Sequence, residues 1–407
     1  MFPLAPLSAP QHPPGPTDEP DHPGTNQSGM RAHNERLVLS LLRQHGALAK
    51  SDMARITGLS AQTVSVITRA LESDGLIRRG EPVRGRIGQP SIPMSLSPDG
   101  AYFLGLKLGR RSAELVLIDV VGTVRAAHRR TWPWPTPDAV LAFVAEALPG
   151  ALAVLTPAER ARVGGLGIAM PFQLWAWVDY IGAPQAEMDA WRHRDIQAEI
   201  SARFGLPVFL QNDATAACRA EHVFGTGERP RDFLYFYLGF FIGGGLVLNG
   251  RLYTGPTGNA AGVGPIPVPG PGGRMVRLLD VASLHTLATA AARAGNDPAQ
   301  LWESPENWDI PPGILQAWVA EAAPALAAAV MSAAALLEIA SVVIDGWMPA
   351  ALRARLTEAT AAAFAGLDPS GISPPVIREG TVGPGARALG AAALPLAQRY
   401  LLDPTTG

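Results

Sequence analysis

Between Arg31 and Pro93 the chain presents an order of elements that few folds accommodate: a striped helix, a short helix, a glycine turn, a Ser-led helix, a glycine stop and a basic hairpin. In Asn34 to Gln44, Leu37, Val38, Leu41 and Leu42 recur at i, i+1, i+4 and i+5, which draws one apolar stripe on a helix. Gly46 ends it. Lys50 to Thr57 follows as a short helix with Met53, Ala54 and Ile56 available for packing, and Gly58-Leu59 makes the tight turn. Ser60 caps the next helix, since its hydroxyl can accept an orphan backbone N–H. That helix, Ala61 to Asp74, sets Val64, Ile67 and Leu71 on one face and Gln62, Ser65, Val66 and Arg69 on the other; Gly75 stops it, and Leu76-Ile77 leads into a hairpin over Arg78 to Leu96. The sum predicts a winged helix-turn-helix that binds duplex DNA.

Within that module, Gln62 can pair bidentately with adenine, Ser60, Thr63 and Ser65 can meet bases or phosphates, and Arg69 can take guanine or phosphate. Arg84-Gly85-Arg86 reads as the wing, where glycine lets the backbone approach and two guanidiniums suit a narrow A·T-rich minor groove. A plain exposed helix face and a solvated linker would carry the same residue types, and the element order is what weighs against them. Charge agrees with it: ten Arg and Lys face five Asp and Glu between Arg31 and Pro90, although the whole chain carries a formal net charge of −2. A basic module on an acidic body is what phosphate-binding electrostatics favour.

On either side the composition changes. Met1 to Gln27 is rich in Pro, Gly, Ser and His and holds too little apolar material to offset ordering, so a disordered arm is expected over residues 1–30. From Ala101 short β-branched runs (Tyr102 to Leu108, Glu114 to Val120, Val163 to Ala169, Val208 to Gln211, Phe233 to Leu238, Gly245 to Leu248, Ser341 to Ile344) alternate with helical stretches (Asp138 to Leu155, Ile196 to Phe204, Ala214 to Phe224, Ile314 to Leu337, Arg387 to Leu401). The alternation predicts α/β layers. Tyr102 to Thr123 reads as a hairpin, and Leu234 to Leu252 repeats the shape with Gly243-Gly244-Gly245 as the turn, which suggests two lobes.

One cysteine, Cys218, excludes an internal disulfide and a multi-thiolate metal site, and His193, His222 and His285 lack ligand spacing. No metal, cofactor or catalytic residue is expected. The longest apolar stretches look broken short of the roughly 20 residues a bilayer span needs, and the start Met1-Phe2-Pro3-Leu4-Ala5-Pro6 does not read as a secretion signal. A cytoplasmic protein without a membrane partner is the expectation.

Over nearly all of Arg31 to Leu401 the sequence resembles the ROK family of repressors, uncharacterised reading frames and sugar kinases. The residues that carry the likeness are Ala54-Arg55-Ile56-Thr57-Gly58-Leu59-Ser60, Thr63-Val64-Ser65, Leu71, the Arg-Gly-Arg wing and the body motifs below, with Ala49 standing where the family has a capping Ser. The resemblance implies a two-lobed, actin-like (ribonuclease H-like) sugar-kinase body over 98–407 behind a winged module over 31–97. Lobe one would take 98–213 plus the C-terminal helix 386–402, and lobe two 214–385.

The resemblance also implies lost chemistry. The family kinases' Asp-x-Gly-Gly-Thr loop matches Lys107-Leu108-Gly109-Arg110-Arg111, and their Leu-Gly-Thr-Gly-Ile-Gly-Gly-Gly matches Leu238-Gly239-Phe240-Phe241-Ile242-Gly243-Gly244-Gly245. Both halves of the nucleotide site are therefore altered, and no ATP phosphorylation is expected. The new cations either form surface salt bridges, the reading favoured here, or meet some other anion. Asp213, in Gln211-Asn212-Asp213, is either the family's sugar-binding Asp or the cap of the following helix. Gly262 and Pro265 replace the family's Glu and His, and Pro269 to Arg274 lacks its three-cysteine zinc motif. Trp175 and Trp177 could stack on a sugar or pack in the core. Asn212, Asp213, Asn259 and Trp175 are the expected effector contacts.

The function so implied is a repressor of carbohydrate genes, without enzymatic activity, that binds a sugar or sugar-derived effector and a pseudo-palindromic operator as a homodimer or dimer of dimers. A sugar kinase with a fused DNA module, and a kinase-like interaction protein whose winged module binds protein, are the readings from other classes.

Overall fold

The computed structural model describes residues 27–82, 91–228 and 230–402. The expected disordered arm before residue 27, and the wing tip with Arg84 and Arg86, lie outside the described residues.

The N-terminal module opens with α1 (Gln27–His45), α2 (Lys50–Thr57) and α3 (Ala61–Ser73). Gly58, at φ +72°, supplies the left-handed turn between α2 and α3 that a side chain would resist. Ser60 Oγ accepts from the Thr63 backbone N–H at 3.1 Å and caps α3, whereas Ala49 at the start of α2 offers no side-chain cap. Val64, Ile67 and Leu71 are buried. β1 (Ile77–Arg79) pairs antiparallel with β2 (Met94–Leu96), completing the wing's base.

Lobe one is built on β3 (Tyr102–Leu108), β4 (Ser112–Asp119) and β5 (Val124–Thr131), then α4 (Pro137–Ala153), β6 (Val163–Met170), α5 (Ile196–Phe204), β7 (Val208–Asn212) and α6 (Asp213–Phe224). Its strand order is β5-β4-β3-β6-β7, with β3, β4 and β5 antiparallel and β3, β6 and β7 parallel. Lobe two repeats that plan. Its strands are β8 (Phe233–Leu238), β9 (Ile242–Leu248), β10 (Arg251–Tyr253), β11 (Ser341–Gly346) and β12 (Val376–Glu379), in the order β10-β9-β8-β11-β12. Helices α7 (Leu284–Arg293), α8 (Pro312–Leu337) and α9 (Ala350–Ala365) belong with it. The last helix, α10 (Ala386–Tyr400), returns to pack on β3, β6 and α6. Strand β5 escaped the sequence because Val-Arg-Ala-Ala-His-Arg-Arg-Thr is an edge strand with no buried residue and so no alternation.

Two expectations need correction. Gly243-Gly244-Gly245 is not a turn but the start of β9, opposite Tyr237, Phe236 and Tyr235. The glycines are there because α6 lies against that strand: a Cβ on Gly243 would sit 2.6 Å from the Ala214 Cβ, and one on Gly245 2.2 Å from the Cys218 Cβ. The turn is Gly239 to Phe241. Second, α8 has 26 residues and is long and apolar enough to cross a membrane by length and composition. Glu321 and Pro324 do not interrupt it, and half of its most apolar window is buried in the lobe-two core.

The module and body share one core. Val38, Leu42, Leu71 and Leu76 of the module pack in the same cluster as Phe103, Ile118, Val223, Ala392 and Leu396 of the body.

Candidate DNA-reading face and interlobe cleft

On α3 the apolar stripe faces α1 and α2, which leaves Gln62, Val66 and Arg69 exposed and Thr63 and Ser65 half-buried. Among the described residues Arg69 forms no ion pair, while Arg79 is held by Glu72 at 2.7 Å and so ties β1 to α3. Ser60 and Thr63 spend part of their hydrogen-bonding on each other, with Oγ and Oγ1 2.8 Å apart. The face is a short-chained polar surface with one free guanidinium, the kind that can enter a major groove.

Between the lobes, the hairpin that joins β3 to β4 places Lys107, Arg110 and Arg111 around the β8–β9 turn. Lys107 is 4% exposed, donates to Ser112 Oγ at 2.6 Å, and lies 5.9 Å from the Trp347 ring centre. The Arg110 guanidinium stacks on Phe241 at 4.7 Å and Trp177 at 5.4 Å, and burial pushes it down to about 10. Arg111 donates to the Pro133 carbonyl at 2.5 Å and lies over Phe240. The expected surface salt bridges are therefore not what occupies these positions: neither Lys107 nor Arg110 has an ion-pair partner among the described residues.

Aromatic side chains from both lobes fill the space a nucleotide phosphate would need. Phe240 packs on Phe241 (4.9 Å), His285 (5.0 Å) and Trp302 (5.2 Å), and Phe241 on Trp177 (4.8 Å) and Tyr180 (5.1 Å). Arg129 of β5 donates to the Trp302 and Glu303 carbonyls and lies 4.3 Å over Trp347, so lobe one grips lobe two directly. Beside this plug a cavity of about 420 Å³ is lined by Arg111, Trp132, Trp302, Asp297 and Glu303.

The cap of α6 is Asn212, whose Oδ1 accepts from the Ala214 and Thr215 N–H groups at 3.0 and 3.3 Å. That corrects both sequence expectations: Asn212 is engaged with backbone, not presented to a ligand, and Asp213 is released from capping. Asp213 instead pairs with Arg387 at 3.2 Å, and Arg387 in turn stacks 4.8 Å over Tyr237. The pair reaches from the start of α6 to the start of α10. Arg387 was invisible to motif reading, since 174 residues separate it from Asp213 and no local pattern marks it.

Trp175 and Asn259 do not join this group. Trp175 packs on lobe one with Arg192 5.5 Å over its ring, and Trp177 is the one that enters the cleft. Asn259 is exposed on the loop after β10, beside Gly262, and no hydrogen bond links it to Asp213. Cys218 is buried, and burial pushes its thiol up, so it is a small core residue. Among the described residues no group of three His, Cys, Asp or Glu side chains is placed to hold a metal ion.

Residues 103–279 match the family model described as ROK family, and residues 31–78 match one described as winged helix-turn-helix DNA-binding. The xylose repressor of Bacillus subtilis is 21% identical over 239 residues, 59% of this chain and 61% of the repressor. The DNA-binding transcriptional dual regulator NagC of Escherichia coli is 26% identical over 264 residues, 64% of this chain and 63% of the regulator. The chain thus matches under two thirds of the length of either. Among solved structures, a ROK family transcriptional regulator described as a homolog of the E. coli MLC protein superposes with a TM-score of 0.64 at 20% identity, over 91% of this chain and 97% of that one, a likeness of fold.

Proposed function

From a chain that carries a ROK family domain behind a winged helix-turn-helix, we propose a transcription regulator, a repressor of carbohydrate-utilisation genes released by a sugar or sugar-derived effector. The observation that carries this reading is the shared core of the module and the body: a DNA-reading face that is packed into a two-lobed receptor can respond to the state of its cleft. The relatives' names, a xylose repressor and NagC, support the class of effector.

In this reading residues 31–97 bind DNA, the body over 98–407 holds effector and dimer contacts, and two modules of a homodimer or dimer of dimers meet a pseudo-palindromic operator in the cytoplasm. Ser60, Gln62, Thr63, Ser65 and Arg69 face the major groove, and Arg84 and Arg86 the minor groove. Asp213, with Arg387, forms the effector end of the cleft. The chain transfers no phosphoryl group: cations and phenylalanines stand where the reaction needs an open phosphate cradle and a metal-managing carboxylate.

Arg69→Ala should weaken operator binding by about 1–3 kcal/mol if the side chain reads a base, and weaken all duplexes alike if it touches phosphate. Anisotropy titrations on operator and scrambled duplexes over a salt series separate the two. No change on either duplex removes Arg69 from the interface, and loss of the steep salt dependence expected of phosphate contacts would count against DNA binding altogether. Turnover of ATP with any member of a sugar panel would restore the kinase reading.

A further inference from the structure

Five cations meet two carboxylates at the lobe junction. Lys107, Arg129 and Glu114 form a cross-strand ladder on β3, β4 and β5, where Lys107 opposes Glu114 and Glu114 opposes Arg129. Arg110 and Arg111 extend from the hairpin, and Arg387 reaches in from α10 to Asp213. Arg129 is occupied by the Trp302 and Glu303 carbonyls and Arg111 by the Pro133 carbonyl. Arg110 differs from these. Both faces of its guanidinium lie against aromatic rings, its Nε is sealed from solvent without a partner, and none of its N–H groups makes a hydrogen bond among the described residues. The Nε of Arg387 is likewise buried and unpartnered.

Such groups are expensive to leave unmet, because a desolvated guanidinium N–H has lost water and gained nothing in exchange. Yet the side chain is not enclosed: Arg110 and Asp213 keep intermediate exposure, so the cleft opens on them. We propose that this cluster is an oxyanion receptor, and that the effector is a sugar bearing a phosphate or a carboxylate, its anion bound by Arg110 and Arg387, its hydroxyls accepted by Asp213 and its ring edge against Trp177. Planar guanidiniums with stacked faces leave their N–H edges free, and those edges match the fork geometry of phosphate and carboxylate. The inference rests on the proposal that Asp213 lies in the effector cleft.

The test uses the full-length protein with four probes: inorganic phosphate, glucose, glucose 6-phosphate and glucuronate. Thermal shift and calorimetry read binding, and anisotropy on operator DNA reads release. The expected result is that a phosphorylated or carboxylated sugar raises Tm where glucose does not, and the two anionic arms say which oxyanion is preferred. In Arg110→Gln that affinity should fall about tenfold or more, while the apo protein melts no lower than the parent, since the guanidinium removed had no partner. Arg110→Lys should restore part of the binding. Glucose binding as tightly as its anionic counterparts, or anion binding unchanged in Arg110→Gln, or no response to phosphate and both anionic sugars, overturns the receptor. If in the same experiments glucose alone releases the operator, the anion inference falls and the regulator stands; if the protein ignores operator DNA, the regulator reading is the one that fails.

Discussion

Lys107 sits at the end of β3 where water hardly reaches, and its only hydrogen bonds go to the side chain and carbonyl of Ser112. Burial, with Arg387 and Arg129 nearby, lowers its ammonium well below the ordinary value of 10.5, against the opposing pull of Glu114 and Asp213. Between the lowered value and 10.5 the unfolded chain holds the proton and the folded chain has lost it, so stability falls as pH drops through that window. Lys107→Met should remove this part of the slope and raise stability at neutral pH by about 1 kcal/mol or more. Urea melts at several pH values check it, and parallel curves for the two proteins would show that Lys107 is not the cause. The identity of the residue was plain from the phosphate-loop match. Its burial was not, because a lone Lys in a strand says nothing about which neighbours shut out the water.

At the scale of elements, α6 and α10 are the pair that connects the cleft to the DNA module. Both begin at the cleft, joined by Asp213 and Arg387, and both end against the module. Phe224, at the end of α6, lies under Arg43 of α1 at 5.3 Å, and just beyond α10 the Leu402 N–H donates to Ser40 Oγ at 2.9 Å. With 15 residues α10 spans about 22 Å, the distance from receptor to reader. The two helices approach so closely that a Cβ on Gly390 would lie 1.7 Å from the Ala216 carbonyl oxygen. Because that obstacle is backbone, Gly390→Ala should push the helices apart and destabilise the body by about 3 kcal/mol, read as a lowered urea midpoint. A midpoint within error of the parent would mean that the helices can separate freely. The helix itself was predicted from Arg387 to Leu401, but its Gly and Ala run could equally have been an exposed, weak helix.

For the molecule as a whole, the decisive contact is the continuous core between module and body. Arg43 fixes that junction: its guanidinium donates to the Val120 carbonyl at the end of β4 and covers Phe224. Arg43→Ala should leave both parts folded and operator affinity within about threefold, since surface changes away from the interface are small, while the effector's influence on DNA binding weakens. Paired titrations with and without the releasing ligand measure that coupling. An undiminished ligand effect would place the communication elsewhere.

The sequence by itself determined the elements and their order. The winged module could be read from glycines, a capping Ser and one apolar stripe, because those signals act within a few residues of each other. The two-lobed body could be read from alternating runs and from motif matches at Lys107 to Arg111 and Leu238 to Gly245, together with their departures from a kinase pattern. Only the tertiary structure decided which side of each motif meets which neighbour. It turned Gly243, Gly244 and Gly245 from a turn into a strand pressed on α6, gave the helix cap to Asn212, exchanged Trp175 for Trp177 in the cleft, and brought Arg387 to Asp213. Each of these outcomes depends on a contact between residues far apart in the chain, and such contacts are set by packing and desolvation across the folded core, which local spacing does not encode.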